Sequence, residues 1–426
     1  MKVRKTIAVM SVAAVVAFSL FTVLFCASSL NSWNPREAGW FQTGFDFNLR
    51  YSELKCLRMG YNPYDVWTHK VDVKPFYPHT SCEYCDDEHT EPIHAYVPWA
   101  YTYVLPLSFL PKRTAWTVHF LLMFVCLSVA VGVAFCIGRR LRGSVWDALL
   151  LSFLPTAVMF YTIWSNFHIG NNMMMPLAFS LLMMVCLNRG WDVLAGVCWA
   201  VAMIKPQIAV LFAVPLLMRG RVKTCAVAAG ICLASTIPPA LMCGTNPIEL
   251  IAEAPRASAF AFCGSGTLPA FLFKWCGSPL GSVIAQGLGV VICCWLTHLV
   301  RGQKNWITYM MPAAACGFGW TYVQVYNHSF AWFYFFCLLV AIGDWRQSLL
   351  LKVLFALSCL FATRMYTCYH HAVSAFSNRL PSALQIPLSV HESLDTLNTT
   401  VVLLIVTVFC LWLKGRHDKT GYEVLP

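Results

Sequence analysis

An aspartate four residues ahead of an arginine, inside GFDFNLRYSELKCLRMG, is where side chains of this chain are first spaced to do chemistry. The stretch reads as a short helix with Asp46, Arg50, Glu53 and Leu57 on one face and Phe47, Tyr51 and Leu54 on another. Gly60 ends it as a left-handed cap, and Asn62-Pro63 then turns the chain. The helix dipole stabilises a carboxylate early in a helix, and such a group can accept a proton from a hydroxyl. Asp46 also reads as an ordinary first-turn charge paired with Arg50 at i+4, and both readings stand on the residues alone. Glu53 and Asp65 read as solvated or turn-forming.

Lys205 is the residue hardest to place structurally. It lies between apolar runs, directly before Pro206, with no basic neighbours. A lysine at membrane depth faces a cavity or an anion, and the alternative is a side chain snorkelling out of a short turn. His168, Asn171 and Asn172 lie in the polar turn SNFHIGNN and His328 in YNHSF. These are interfacial residues, or they line one pocket with Asp46 and Lys205 and donate hydrogen bonds to a phosphate or sugar. His79, Cys82, Cys85, His89 and His94 are spaced to bind zinc, and a local Cys82–Cys85 disulfide or free thiols would also fit. Asp86, Asp87, Glu88 and Glu91 read as a solvated acidic face. No phosphate-cradling glycine loop is visible, and neither a cofactor nor a catalytic metal is expected.

The elements that position these residues follow from composition. Of 426 residues 58% are hydrophobic and only 12% charged, far from the usage of soluble domains. The net charge of +11 is spread in short clusters between apolar runs, which marks topology and not a nucleic-acid surface. The 20 cysteines are mostly scattered singly through the apolar runs as small fillers. The fold expected is all-α, a polytopic transmembrane bundle of about 12 spans with both termini inside. The spans fall near 7–30, 113–138, 145–164, 172–188, 192–204, 206–218, 224–243, 279–300, 305–325, 330–343, 348–366 and 397–413. The first, after Lys2, Arg4 and Lys5, is expected to be an uncleaved span and not a signal peptide.

The spans at 192–204 and 206–218 are too short to cross alone, so they read as a re-entrant pair or two short helices meeting at Lys205-Pro206. Residues 31–95 form the longest polar stretch, a first external loop with short interfacial helices, where chemistry is expected. Tyr96 to Pro111 reads as an aromatic, Pro-rich run at the membrane interface. The turns at 165–171, 244–275, 326–329 and 368–395 face outward.

In order, these features resemble the GT-C superfamily of polytopic glycosyltransferases, within it the bacterial polyprenyl-phosphate-mannose-dependent alpha-mannosyltransferases and their uncharacterised relatives. The likeness runs over most of the chain and makes 1–426 one membrane domain. It is carried by Asp46 after the first span, Gly60-Tyr61-Asn62-Pro63-Tyr64, Tyr96-Val97-Pro98 through Pro106 and Pro111, Gly170-Asn171-Asn172, Lys205-Pro206 and His328. The chain departs from the pattern where Gly-Asn replaces Gly-Gln, at Val97, and in the insert around Cys82.

The resemblance implies an inverting transfer of mannose or another hexose from a polyprenyl-phosphate donor, lying in the membrane lipid, to a hydroxyl of a glycan or glycolipid. The active site would lie on the external side of the plasma membrane. It makes Asp46 the general base and casts Arg50, Lys205, His328, His168 and Asn172 as substrate-binding residues. The competing class is a secondary transporter or lipid-phosphate-sugar flippase with its site at Lys205-Pro206, but that reading expects an inverted repeat, and none is visible.

Overall fold

The computed structural model describes residues 44–67, 96–261, 279–319 and 330–342, with isolated positions between 6 and 20. The segment His79–His94, the turn at His328 and the spans expected at 348–366 and 397–413 lie outside the described residues, as does most of the first span. Among the described residues the chain is helical throughout its ordered elements, without a strand.

Two short helices, α1 (Phe45–Arg58) and α2 (Pro63–Trp67), come first, then α3 (Pro98–Val104), which continues into a 3-10 turn at Leu105–Phe109. The bundle follows as α4 (Lys112–Arg142), α5 (Val145–Val158), α6 (Phe160–Ile169), α7 (Met174–Asn188), α8 (Asp192–Ala202) and α9 (Pro206–Met218). It continues with α10 (Val222–Cys243), α11 (Pro247–Ala261), α12 (Pro279–Leu299), α13 (Trp306–Gly319) and α14 (Ala331–Ile342).

Each segment expected to span between residues 113 and 343 is mainly helical over its described residues, but the helices are unequal. Over the described residues, Lys112–Leu141 and Val222–Cys243 are long and apolar enough to cross a membrane alone. A third crossing is possible for the pair Val145–Val158 and Thr162–Ile169, which is bent by 63°. The bend follows Pro155, which removes a ladder hydrogen bond one turn before the α5 helix ends at Met159.

The bundle is tied at both ends. At one end Arg221 donates to both carboxylate oxygens of Asp192 at 3.1 and 3.2 Å, and the Arg219 guanidinium lies 3.5 Å from the Tyr309 ring centroid. At the other end the Cys243 thiol, closing α10, meets the Tyr61 carbonyl beside α1. Between them α8 and α10 pack closely because Gly196 faces Thr224 and Val227. A Cβ there would come within 2.8 Å of the Thr224 carbonyl oxygen.

Because Asp192 opens α8 and Arg221 follows α9, the α8–α9 pair enters from the arginine-rich end and returns to it. Eleven residues at 1.5 Å rise give about 17 Å, roughly half a hydrocarbon core. The two short helices expected to meet at Lys205-Pro206 are present, with Lys205 in the break between them. The break is braced from the side: Trp99 Nε1 donates to the Met203 carbonyl in the turn at 2.7 Å, and Trp199 Nε1 to that of Ala209, in the first turn of α9, at 2.9 Å.

In the run Tyr96 to Pro111, α3 buries Pro98, Ala100, Tyr101 and Val104 and packs against α10. One expectation needs correction. The stretch 244–275, read as a turn, contains the helix α11, which packs on α2, α3 and α10. In the centre α14 is apolar all round, with Trp332, Phe333, Tyr334, Phe335 and Phe336 fully buried, as expected for a helix with no solvent face. Its indole Trp332 Nε1 donates to Thr156 Oγ1 at 2.8 Å.

Candidate active site

Helix α1 starts at Gly44, whose N–H donates to the His168 carbonyl at the end of α6 at 2.7 Å. Further on, the Tyr51 hydroxyl donates to the Leu110 carbonyl at 2.7 Å, and Arg58 donates to the Ser108 carbonyl. Gly60 then takes φ +85°, the left-handed cap expected. Asn62 accepts from the Tyr64 backbone N–H through Oδ1, opening α2, and donates through Nδ2 to Glu253 of α11 at 2.7 Å. The Tyr64 hydroxyl donates to the Tyr96 carbonyl, joining two tyrosines 32 positions apart. Helix α1 is therefore fixed along its length.

Its polar face is buried. Asp46, Arg50 and Glu53 are 6%, 5% and 1% exposed. Asn171 Nδ2 donates to Asp46 Oδ2 at 2.8 Å, while Arg50 Nε stands 3.7 Å from Asp46 Oδ1. Arg50 instead directs its terminal NH1 group onto both oxygens of Glu53, at 2.6 and 2.8 Å, and its guanidinium lies 4.5 Å from the Tyr96 ring centroid. Burial works against the charged guanidinium, but the carboxylates of Glu53 and Asp46 outweigh it and hold the Arg50 pKa above the ordinary arginine value.

Glu53, expected in solvent, is thus a buried counter-ion, and its pairing at i+3 is what permits it. Asp46 keeps one oxygen on the Asn171 amide and the other facing Arg50 at a distance too long for a hydrogen bond. The ordinary i+4 pair is present but loose, which leaves the carboxylate able to take a further partner.

Lys205, 4% exposed, is near enough to Asp46 and Arg50 for both charges to act on it. The break in the α8–α9 pair and the start of α1, more than 150 positions apart, therefore lie within range of each other's charges. In its charged form the set is balanced, with Asp46 and Glu53 against Arg50 and Lys205. One cationic group, that of Lys205, is thus carried on non-helical backbone at the turn of a half-span, the arrangement that suits an anionic group of a bound molecule.

The other sequence candidates fall differently. Asn171, and not Asn172, meets Asp46; Asn172 is buried beside it with its carbonyl Oδ1 unpartnered among the described residues. His168 contributes its backbone carbonyl to Gly44 and stacks its ring on Trp164 at 5.0 Å. His328 lies outside the described residues. Among the described residues no group of histidine, cysteine and carboxylate side chains could hold a metal ion.

The turn carrying Asn171 depends on Gly170, which takes φ +74°. A Cβ at Gly170 would lie 2.3 Å from the Trp116 ring and 2.6 Å from Phe47 Cβ. Gly170→Ala is expected to lose at least about 2 kcal/mol, left-handed strain plus overlap, read as a lowered thermal midpoint of the detergent-purified protein. An unchanged midpoint would show that the turn tolerates a side chain.

No curated protein and no solved structure matches the chain. The model of glycosyltransferase family 87 matches residues 94–322, more than half of the sequence, a range that takes in Asn171 and Lys205 and leaves out Asp46 and Arg50. This polytopic helical chain belongs to glycosyltransferase family 87.

Proposed function

We propose that the chain transfers a hexose, mannose being the first candidate, from a polyprenyl-phosphate donor to a hydroxyl of a glycan or glycolipid. The reaction inverts the anomeric carbon and takes place on the external side of the plasma membrane, with residues 31–95 as the catalytic loop of a GT-C-like domain. The observation that carries the reading is that Asp46, Arg50 and Lys205 are all buried and close enough for their charges to act on one another.

In this reading Asp46 accepts the proton of the acceptor hydroxyl as its oxygen attacks the anomeric carbon, and the bond from that carbon to the donor phosphate oxygen breaks. Negative charge gathers on the departing polyprenyl phosphate. Lys205 stabilises it, with the field of Arg50 behind and His328 as a further donor. A donor already dissolved in lipid reaches a site inside the bundle laterally, which gives a physical reason for housing the reaction in a membrane bundle. His168 and Asn172, at the turn beside Asp46, are assigned to the sugar hydroxyls.

The direct test offers the purified protein, in lipid nanodiscs, a panel of polyprenyl-phosphate sugars with short glycan acceptors. Consumption of one donor with release of polyprenyl phosphate is expected. If no donor is consumed while a fluorescent lipid-phosphate sugar crosses the bilayer, the transferase reading fails in favour of a flippase. Lys205→Ala is expected to raise the donor KM or lower kcat by about 100-fold, the worth of one buried cationic contact, and to leave the acceptor KM nearly unchanged. An unchanged donor dependence would remove Lys205 from the phosphate site.

A further inference from the structure

We infer that His119 is a positioning residue that holds Asp46 in register through the Gly170-Asn171 turn, a role that rests on reading Asp46 as the base. His119 lies on α4 and is 3% exposed. The Gly170 backbone lies close enough to its ring to act on the imidazole as a hydrogen-bond acceptor. The ring centroid stands 5.2 Å from that of Phe47 and 6.2 Å from that of Trp116, one turn earlier on α4. Phe47 follows Asp46 in the chain, and Asn171 follows Gly170. His119 therefore touches the neighbours of both partners in the 2.8 Å bond between Asn171 and Asp46.

Trp116 completes the clasp. Its ring is in contact with the Cβ position of Gly44, directly before α1, and closes on that of Gly170. One face of α4 thereby grips both the start of α1 and the turn that aims Asn171. The second ring nitrogen, Nε2, is buried and has no hydrogen-bond partner among the described residues, so we assign the Gly170 contact to Nδ1. An orphaned buried nitrogen costs stability that phenylalanine in the same space would not incur. Packing alone does not account for a histidine here, whereas the Nδ1 contact to the turn does.

The test separates the two nitrogens. Asparagine places its amide N–H near the Nδ1 position, glutamine near Nε2, and phenylalanine keeps only the ring. In the nanodisc assay with the donor that the panel identifies, His119→Phe and His119→Gln are expected to lower kcat about 10- to 100-fold, the effect of misplacing a catalytic group by a fraction of an ångström to an ångström. The donor KM should stay within about twofold, since uniform binding is untouched. His119→Asn is expected to recover most of the rate.

Because both residues act through one bond, His119→Phe added to Asn171→Ala should lower kcat little further. Losses that multiply, or equal losses in the Asn and Gln variants, would overturn the positioning role. Wild-type kcat in His119→Phe beside an inactive Asp46→Asn would overturn it while leaving the base standing. Wild-type kcat in Asp46→Asn would overturn the base itself. His119→Gln carries the comparison if His119→Phe does not fold.

Discussion

Asp46→Asn is expected to insert, purify and melt like the wild-type chain and to lose sugar transfer by about 10²- to 10⁴-fold, the usual worth of a general base. The geometry explains why the fold should survive. Asparagine keeps a carbonyl oxygen to accept from Asn171, replacing the 2.8 Å bond. Arg50 retains its two-oxygen contact with Glu53, because its approach to Asp46 is 3.7 Å and not a hydrogen bond. What is removed is the capacity to take a proton, together with one negative charge near Lys205. Donor KM should change little, and the loss should fall on kcat. Wild-type turnover would remove Asp46 from the chemistry, and a matching loss of thermal stability would reassign it to the structural i+4 pair.

The helical architecture was legible because lipid demands it: apolar runs of span length have almost no other solution. The half-length pair around Lys205-Pro206 could be picked out for the same reason, since a lysine and a proline at that depth contradict an ordinary span. Asp46 and Arg50 could be placed on one helical face by period alone. What period cannot give is depth. Glu53 has the spacing of an exposed i+3 pair, and only the packing of α1 against Tyr96 and its neighbours buries it.

His119 left no signal, because a single histidine inside a long apolar run has no spacing to read, and its partner Gly170 lies 51 positions away. The helix α11 was hidden by its polar residues, although Glu253 there receives the Asn62 amide. The choice between Asn171 and Asn172 turns on one rotation after Gly170, a detail of backbone conformation that composition does not carry.

Glu53→Ala is expected to be the most destabilising single change on α1, costing about 3–5 kcal/mol, because it strands a buried guanidinium. Arg50 would then be left with the Tyr96 ring and the carboxylate of Asp46, 3.7 Å away. It should swing onto Asp46 and tie up the oxygen that faces the substrate, so surviving protein should also turn over slowly. Glu53→Gln, which keeps one acceptor of the same shape, should lose less.

The double variant Arg50→Met/Glu53→Leu separates the two effects. Replacing both members of a buried pair with apolar side chains of similar volume removes the desolvation cost together with the attraction, and stability should return to within about 1 kcal/mol of wild type. Transfer should not return with it, since the positive field behind Lys205 is gone. Thermal unfolding and turnover of the four proteins in one nanodisc preparation would check this. A double variant as unstable as Glu53→Ala would mean that the pair is worth more than its burial costs. Full activity in a stable double variant would strike Arg50 from the phosphate site and leave Lys205 to carry that charge alone.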